Sequence, residues 1–306
     1  MADDVSPVTA DQPYRAGVRV LPPNDPRQYD DLATEWWRPD GAFAMLHWLA
    51  AARARLIPYA TRSNAVLVDL GCGGGLLAPH VAGRGYRHVG VDLVRSALDR
   101  AAAHGVVAVL ADATEVPLAD GCADVVSAGE LLEHVPDWRA AVAQACRILR
   151  PGGTLVLDTL NATAVGRFLA VRIAERLPGV PRGIHDPALF VGAGELVAEC
   201  ARHGVALRVR GIRPAVPGTL RWLARRAAGR NSDGAGRNSD GTGRNSGGEL
   251  ATPARRGASG PVAGHDGPGR SAGPAVRGGP MIVPTWSTAV LYQGWGVRNG
   301  SPTNPR

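Results

Sequence analysis

The chain contains no lysine, and its fixed cationic side chains are all arginine. With 40 glycines and 24 prolines in 306 residues, this is the imprint of a GC-rich genome on codon choice. The net charge of +7 is therefore no signature of nucleic-acid binding, and no nucleic-acid partner is expected. Cysteine is also scarce. Cys72, Cys122, Cys146 and Cys200 lack the paired spacing of a zinc site or a disulfide framework, which leaves them as small apolar core residues. No apolar stretch reaches membrane-spanning length, and the acidic start MADDVSP lacks the charged and apolar regions of a secretory signal. The expectation is a cytoplasmic protein with one large α/β domain or two small ones.

What is present is organised around Val66 to Gly75, VLVDLGCGGG. A short apolar run with one acid leads into Gly71, Gly73 and Gly75, which reads as a buried strand, a tight glycine turn and then a helix. Such a turn lets backbone approach a ligand closely beside a helix N-terminus, or it is only a turn. Leu76 stands where a dinucleotide fold wants its third glycine, which argues against a nicotinamide oxidoreductase.

Residues 1–24 are polar and proline-bearing and read as a disordered leader. Asp25–Trp37 has helical spacing of Tyr29, Leu32, Ala33, Trp36 and Trp37, and a second helix over Phe43–Ile57 carries Arg53 and Arg55. These arginines are solvated unless one turns inward to meet a carboxylate. Strands over His88–Leu93, Val106–Leu110, Asp124–Ser127 and Gly153–Thr159 alternate with helices over Leu76–Gly83, Arg95–His104 and Val135–Leu149, the rhythm of a doubly wound parallel sheet. Asn161–Leu177 reads as one helix with arginines between apolar residues, followed by a helix near Glu195–His203 and a strand over Val205–Ile212. Residues 224–280, with a seven-residue near-repeat starting at Gly229, Gly236 and Gly243, read as a disordered insertion. Trp286–Val297 then supplies the last strand, so that 25–223 and 281–306 form one domain, with its cofactor core at 60–160 and an acceptor or lid region at 161–223.

Four acids fall at or near strand ends: Asp69, Asp92, Asp112 and Glu130. A carboxylate after the second strand accepts two hydrogen bonds from a vicinal diol, and one after the third reaches an adenine edge. The glycine turn with Asp92 and Asp112 in register predicts an adenosyl ligand. Glu130, Glu133 and His134 at i, i+3 and i+4 share a face if the segment is helical. They would suit a divalent cation such as magnesium, or merely cap a helix, or His134 would remove a proton directly.

The run Asp69-x-Gly71-x-Gly73-x-Gly75, with Asp92, Asp112 and Leu149-Arg150-Pro151-Gly152-Gly153, resembles the successive motifs of class I S-adenosylmethionine methyltransferases. Within that class, Glu35-Trp36-Trp37, Gly71-Cys72-Gly73-Gly74-Gly75, Glu130-Leu131-Leu132-Glu133-His134-Val135-Pro136-Asp137, Asp158-Thr159-Leu160-Asn161 and Gly183-Ile184-His185-Asp186 resemble the ubiquinone-biosynthesis O-methyltransferase family. The resemblance implies a Rossmann-like, seven-stranded, mostly parallel α/β sheet with N-terminal helices. It implies S-adenosylmethionine as cofactor, held by Arg53, Asp69, Gly71, Cys72, Gly73, Gly75, Asp92, Leu93, Asp112, Ala113 and Gly129. Arg53 matches the family's cofactor-contacting arginine, although Ala50-Ala51-Ala52 replaces the family's Asn-Pro-Leu before it.

The candidate catalytic residues are His134 and Glu130; the resemblance further implies a magnesium site at Glu130, Glu133 and His134, with acceptor contacts expected from Trp37, His185 and Asp186. For His185 and Asp186 a simple turn and helix cap is the other reading; Trp36 and Trp37 would equally serve to cap the core. The expected reaction is methyl transfer to a phenol or catechol hydroxyl, on a polyprenylated quinone precursor, a soluble metabolite or a lipid. A non-catalytic cofactor-binding or membrane-interaction module is the alternative of another class. The basic amphipathic stretch 161–177 is either a cover over the site or a peripheral contact with an anionic membrane surface.

Overall fold

The computed structural model describes residue 22 and residues 24–38, 41–173, 183–235 and 281–299. The chain divides into two compact units, Met1–Pro214 with Ile282–Arg306, and Ala215–Met281.

The first unit is built on a sheet of order β3-β2-β1-β4-β5-β8-β6-β7. Its strands are β1 (Ala65–Leu70), β2 (Tyr86–Asp92), β3 (Val107–Leu110), β4 (Ala123–Gly129), β5 (Leu149–Leu160), β6 (Val205–Pro214), β7 (Ile282–Thr285) and β8 (Leu291–Arg298). β1 to β5 are parallel, and β8 runs antiparallel between β5 and β6. The doubly wound fold is therefore as the alternation predicts, with eight strands rather than seven. The additional strand is β7, which pairs antiparallel with the end of β6. Its sequence IVPT is short and holds a proline, as an edge strand can.

The central strands lie between helical layers, so their apolar runs are continuous. Ala123 to Ala128 of β4 are all buried, as are Leu67 to Leu70 of β1. The helices are α1 (Arg27–Asp31), α2 (Ala44–Ala54), α3 (Ala78–Val81), α4 (Arg95–Ala103), α5 (Trp138–Ile148), α6 (Ala164–Arg167) and α7 (Ala193–Arg202). α5 starts where the Asp137 side chain accepts the Ala140 N–H. The single helix expected over Asn161–Leu177 is instead α6, capped by Thr163, and a π-helical turn over Phe168–Ile173. Asn161 is buried and bridges to Val191, which removes it from any helix. Residues 174–177 lie outside the described residues.

Pro22 and Asn24 fall in the stretch expected to be a leader, yet Asn24 is hydrogen-bonded to His134 and Gly183. The rest of that leader, 1–21 and Pro23, lies outside the described residues. In the second unit α8 spans Val216–Ala235 and thus takes in the start of the expected insertion, where Ala and Arg favour a helix. Residues 236–280 lie outside the described residues.

One of the two arginines of α2 does turn inward. Arg53 is buried, its Nη1 2.7 Å from Asp158 Oδ1 on β5 and its Nε 3.1 Å from Ser127 Oγ on β4, whereas Arg55 is exposed. This pair fastens α2 to the centre of the sheet. Asp158→Ala leaves a buried guanidinium without its carboxylate and should cost about 3–5 kcal/mol in urea unfolding. The double variant Arg53→Met with Asp158→Leu should recover most of that loss.

Candidate active site

The chain leaves β1 through Gly71, Gly73 and Gly75, at φ 64°, 50° and 79°, in the left-handed region that favours glycine. A Cβ on Gly73 would lie 2.5 Å from the Trp36 ring, and one on Gly75 would lie 2.9 Å from Ala101 Cα of α4. Gly71 N–H and Cys72 N–H donate to Val91 O at 2.8 and 3.1 Å. Gly73 N–H donates to Asp92 Oδ2 and Val94 N–H to Asp92 Oδ1, both at 2.8 Å. Each Asp92 oxygen thus takes one backbone donor and keeps acceptor capacity for a diol. Burial raises the Asp92 pKa, against the pull of these two N–H groups.

Asp112 is exposed just past β3, with Oδ1 accepting the Thr114 N–H and hydroxyl, both at 2.8 Å. Leu93 and Leu110 are 55% and 53% exposed, open apolar surface beside the two acids. Leu110 pairs in register with Asp92. It escapes a sequence reading because it looks like any strand-ending leucine. Ala113 is buried behind Asp112.

Other expected cofactor residues already meet protein neighbours. The buried Cys72 side chain lies where a Cβ on Gly90 would be 2.6 Å from its sulfur, so only its backbone lines the turn, and burial raises its thiol pKa. Asp69 lies inside β1 with its carboxylate buried 3.8 Å from His88 Nε2. Arg53 is engaged by Asp158 beneath Gly129, where a Cβ would be 1.7 Å from Nη1. A buried guanidinium needs a buried carboxylate, and Asp158 answers that need. Trp37 donates its indole N–H to Gly74 O at 2.9 Å and stacks on His104, so it braces the glycine turn.

The second half of the site is the turn after β4. A Cβ on Gly71 would be 2.7 Å from Leu131 Cδ1, so this turn abuts the glycine turn. Glu130 has φ 49° and only Leu132–His134 form a 3-10 turn, so Glu130, Glu133 and His134 do not share a helix face. Glu133 Oε2 accepts the Thr159 hydroxyl at 2.6 Å. His134 Nδ1 lies 2.6 Å from Asn24 Oδ1, and Nε2 lies 3.5 Å from the Tyr29 hydroxyl. Among the described residues no three His, Cys, Asp or Glu side chains gather to hold a metal ion. Although Glu130 and Glu133 each keep a buried oxygen without a partner, the expected three-ligand magnesium site does not fit this placement.

Burial, with the neighbouring Glu133 and Asp158 charges, raises Glu130 well above the ordinary carboxylate range. Burial lifts Glu133 to about 7 against its Thr159 hydrogen bond. Burial, reinforced by His185, lowers His134 to about 3, leaving a neutral imidazole at physiological pH. His185 stacks on His134 at 5.3 Å and meets Phe190 edge-on at 6.2 Å. Asp186 accepts the Ala188 N–H at 2.9 Å and caps the Pro187–Leu189 turn. His185 joins the site and Asp186 shapes the turn after it.

Residues 68–157 match the model of a methyltransferase domain. The ubiquinone biosynthesis O-methyltransferase of Thiobacillus denitrificans is 37% identical over 58% of this chain and 81% of its own. The proteins of the same name from Methylococcus capsulatus and Idiomarina loihiensis are 38% and 35% identical, over 58% and 57% of this chain and 78% and 76% of theirs.

The raised Glu133 pKa has a direct consequence for stability. Its folded value lies above the unfolded one, so its contribution is fully present below the unfolded value and is lost as pH rises through about 7. Glu133→Gln keeps an acceptor for Thr159 and cannot ionise. In urea unfolding it should match wild type at pH 4 and gain up to about 3 kcal/mol on it at pH 8. A difference independent of pH would contradict this.

Proposed function

Because the chain belongs to the ubiquinone biosynthesis O-methyltransferase family and is an S-adenosylmethionine-dependent methyltransferase, we propose that its acceptor is a ring hydroxyl of a polyprenylated, catechol-like quinone precursor. The observation that carries this reading is the contact of Leu131 with Gly71, which sets the Glu130–His134 turn against the glycine turn pinned by Asp92. Asp92 would hold the ribose diol, Asp112 the adenine edge, and the Gly71–Gly75 backbone the amino-acid portion of the cofactor. The cofactor supplies an electrophilic methyl group on a sulfonium. His134 accepts the phenolic proton at its neutral ring, next to the buried Glu133 and the half-buried Glu130 of the same turn. The His185 ring stacked on His134 offers a flat wall for an aromatic acceptor. Alignment of hydroxyl and methyl is the main contribution of such a site, with effective molarities worth on the order of 7–11 kcal/mol.

A prenylated acceptor sits in a membrane, and a peripheral membrane contact belongs to the same proposal. No helix among the described residues is long and apolar enough to cross a membrane. Val165, Phe168 and Leu169 are 52%, 55% and 38% exposed on α6 and the turn after it. This is the kind of apolar surface that enters a lipid interface beside basic residues such as Arg167. Phe168→Asp should reduce flotation with anionic liposomes and leave turnover of a short-chain acceptor intact. Equal flotation of the two proteins would remove this part of the proposal.

The function itself is tested by radiolabelled methyl transfer from S-adenosylmethionine to quinol precursors and small catechols, with and without magnesium. Transfer to the prenylated catechol should dominate, and transfer confined to soluble metabolites would overturn the proposed acceptor. Asp92→Ala should abolish S-adenosylhomocysteine binding in isothermal titration. His134→Ala should retain that binding and lower kcat about 100-fold or more.

A further inference from the structure

Asn24 belongs to no expected site and lies in a stretch that the sequence marks as a leader. Its backbone has φ 63°, in the left-handed region that asparagine tolerates better than most residues. Its backbone N–H donates to Gly183 O at 3.3 Å, and Gln28 Nε2 donates to the same oxygen at 3.1 Å. These bonds tie the segment before α1 to the segment that carries His185. The Asn24 side chain then meets His134 twice: Nδ2 donates to the His134 backbone O at 2.8 Å, and Oδ1 lies 2.6 Å from Nδ1.

The two contacts together determine where the imidazole proton sits. A carbonyl oxygen only accepts, so the amide must present its NH2 to His134 O. That leaves Oδ1 facing the ring, and a close contact with an acceptor requires the proton on Nδ1. In water the neutral histidine side chain prefers the proton on the other nitrogen, so the segment before α1 opposes the default. Nε2 keeps its lone pair. Its described neighbour is the Tyr29 hydroxyl at 3.5 Å, too long to be a firm hydrogen bond. We propose that Asn24 is a positioning residue, locking His134 in the Nδ1–H tautomer so that Nε2 faces the acceptor hydroxyl as a free base. The catalytic half of this statement rests on the function proposed above, whereas the tautomer is a property of the protein by itself.

Nitrogen-15 NMR of histidine-labelled protein tests it, with the His134 signals assigned by their loss in His134→Gln. Wild type should show a pyrrole-type Nδ1 and a pyridine-type Nε2. Asn24→Gly removes the amide while suiting the left-handed backbone, and should shift the signals toward the opposite tautomer. At pH 8 its kcat should fall about tenfold, with the KM values for both substrates within about twofold of wild type. Asn24→Asp keeps an acceptor at Nδ1 and should restore the wild-type pattern and most of kcat. Unchanged His134 signals in Asn24→Gly would overturn the proposal, as would altered signals with unchanged kcat. Wild-type protein inactive on every phenol would defeat the proposed function, and the imidazole signals would still decide the tautomer lock.

Discussion

The left-handed turn at Gly71, Gly73 and Gly75 is the constraint on which the site depends. Each of the three adopts a φ that ordinary residues avoid, and each has a neighbour within 3 Å of where a Cβ would stand: Leu131, Trp36 and Ala101. The turn is therefore required by backbone geometry and by the elements packed on it. Its amide at Gly73 is what fixes the Asp92 carboxylate. Through Leu131 it also fixes how closely the turn after β4 can approach. The Asp92 side and the Glu130–His134 side are thus held by one piece of backbone.

Around that turn the electrostatics are set mainly by burial. Arg53 and Asp158 form a buried ion pair that ties α2 to the sheet. Glu130 and Glu133 lie close enough to interact, and burial raises the pKa of both. Burial likewise keeps His134 neutral at physiological pH. Desolvation alone would hold the ring neutral in either tautomer. Selecting one requires a directed hydrogen bond, and the segment before α1 supplies it.

The parts of this arrangement that were legible in the sequence share a local cause. Glycine spacing reports positive φ, alternation of strand and helix reports the parallel sheet, and Asp92 and Asp112 stand at fixed distances after their strands. The features that were not legible depend on partners distant in sequence. Nothing near Arg53 says that Asp158 and Ser127 will receive it, so the buried ion pair could not be read from the sequence. Spacing in ELLEHVPD suggested a shared helix face because the left-handed φ of Glu130 cannot be read from a glutamate. Asn24, in a polar and proline-bearing stretch, carried no periodic signal at all. β7 is four residues long and was hidden next to a glycine-rich stretch.

The proposed function requires the Asp92-pinned glycine turn and His134 to face one reaction centre. A crystal structure of the protein with S-adenosylhomocysteine measures this most directly. Ribose hydroxyls should lie on the Asp92 carboxylate, and the thioether sulfur on the side of the turn that faces His134 Nε2. A ribose held away from Asp92, or a sulfur on the far side of the glycine turn from His134, would contradict it.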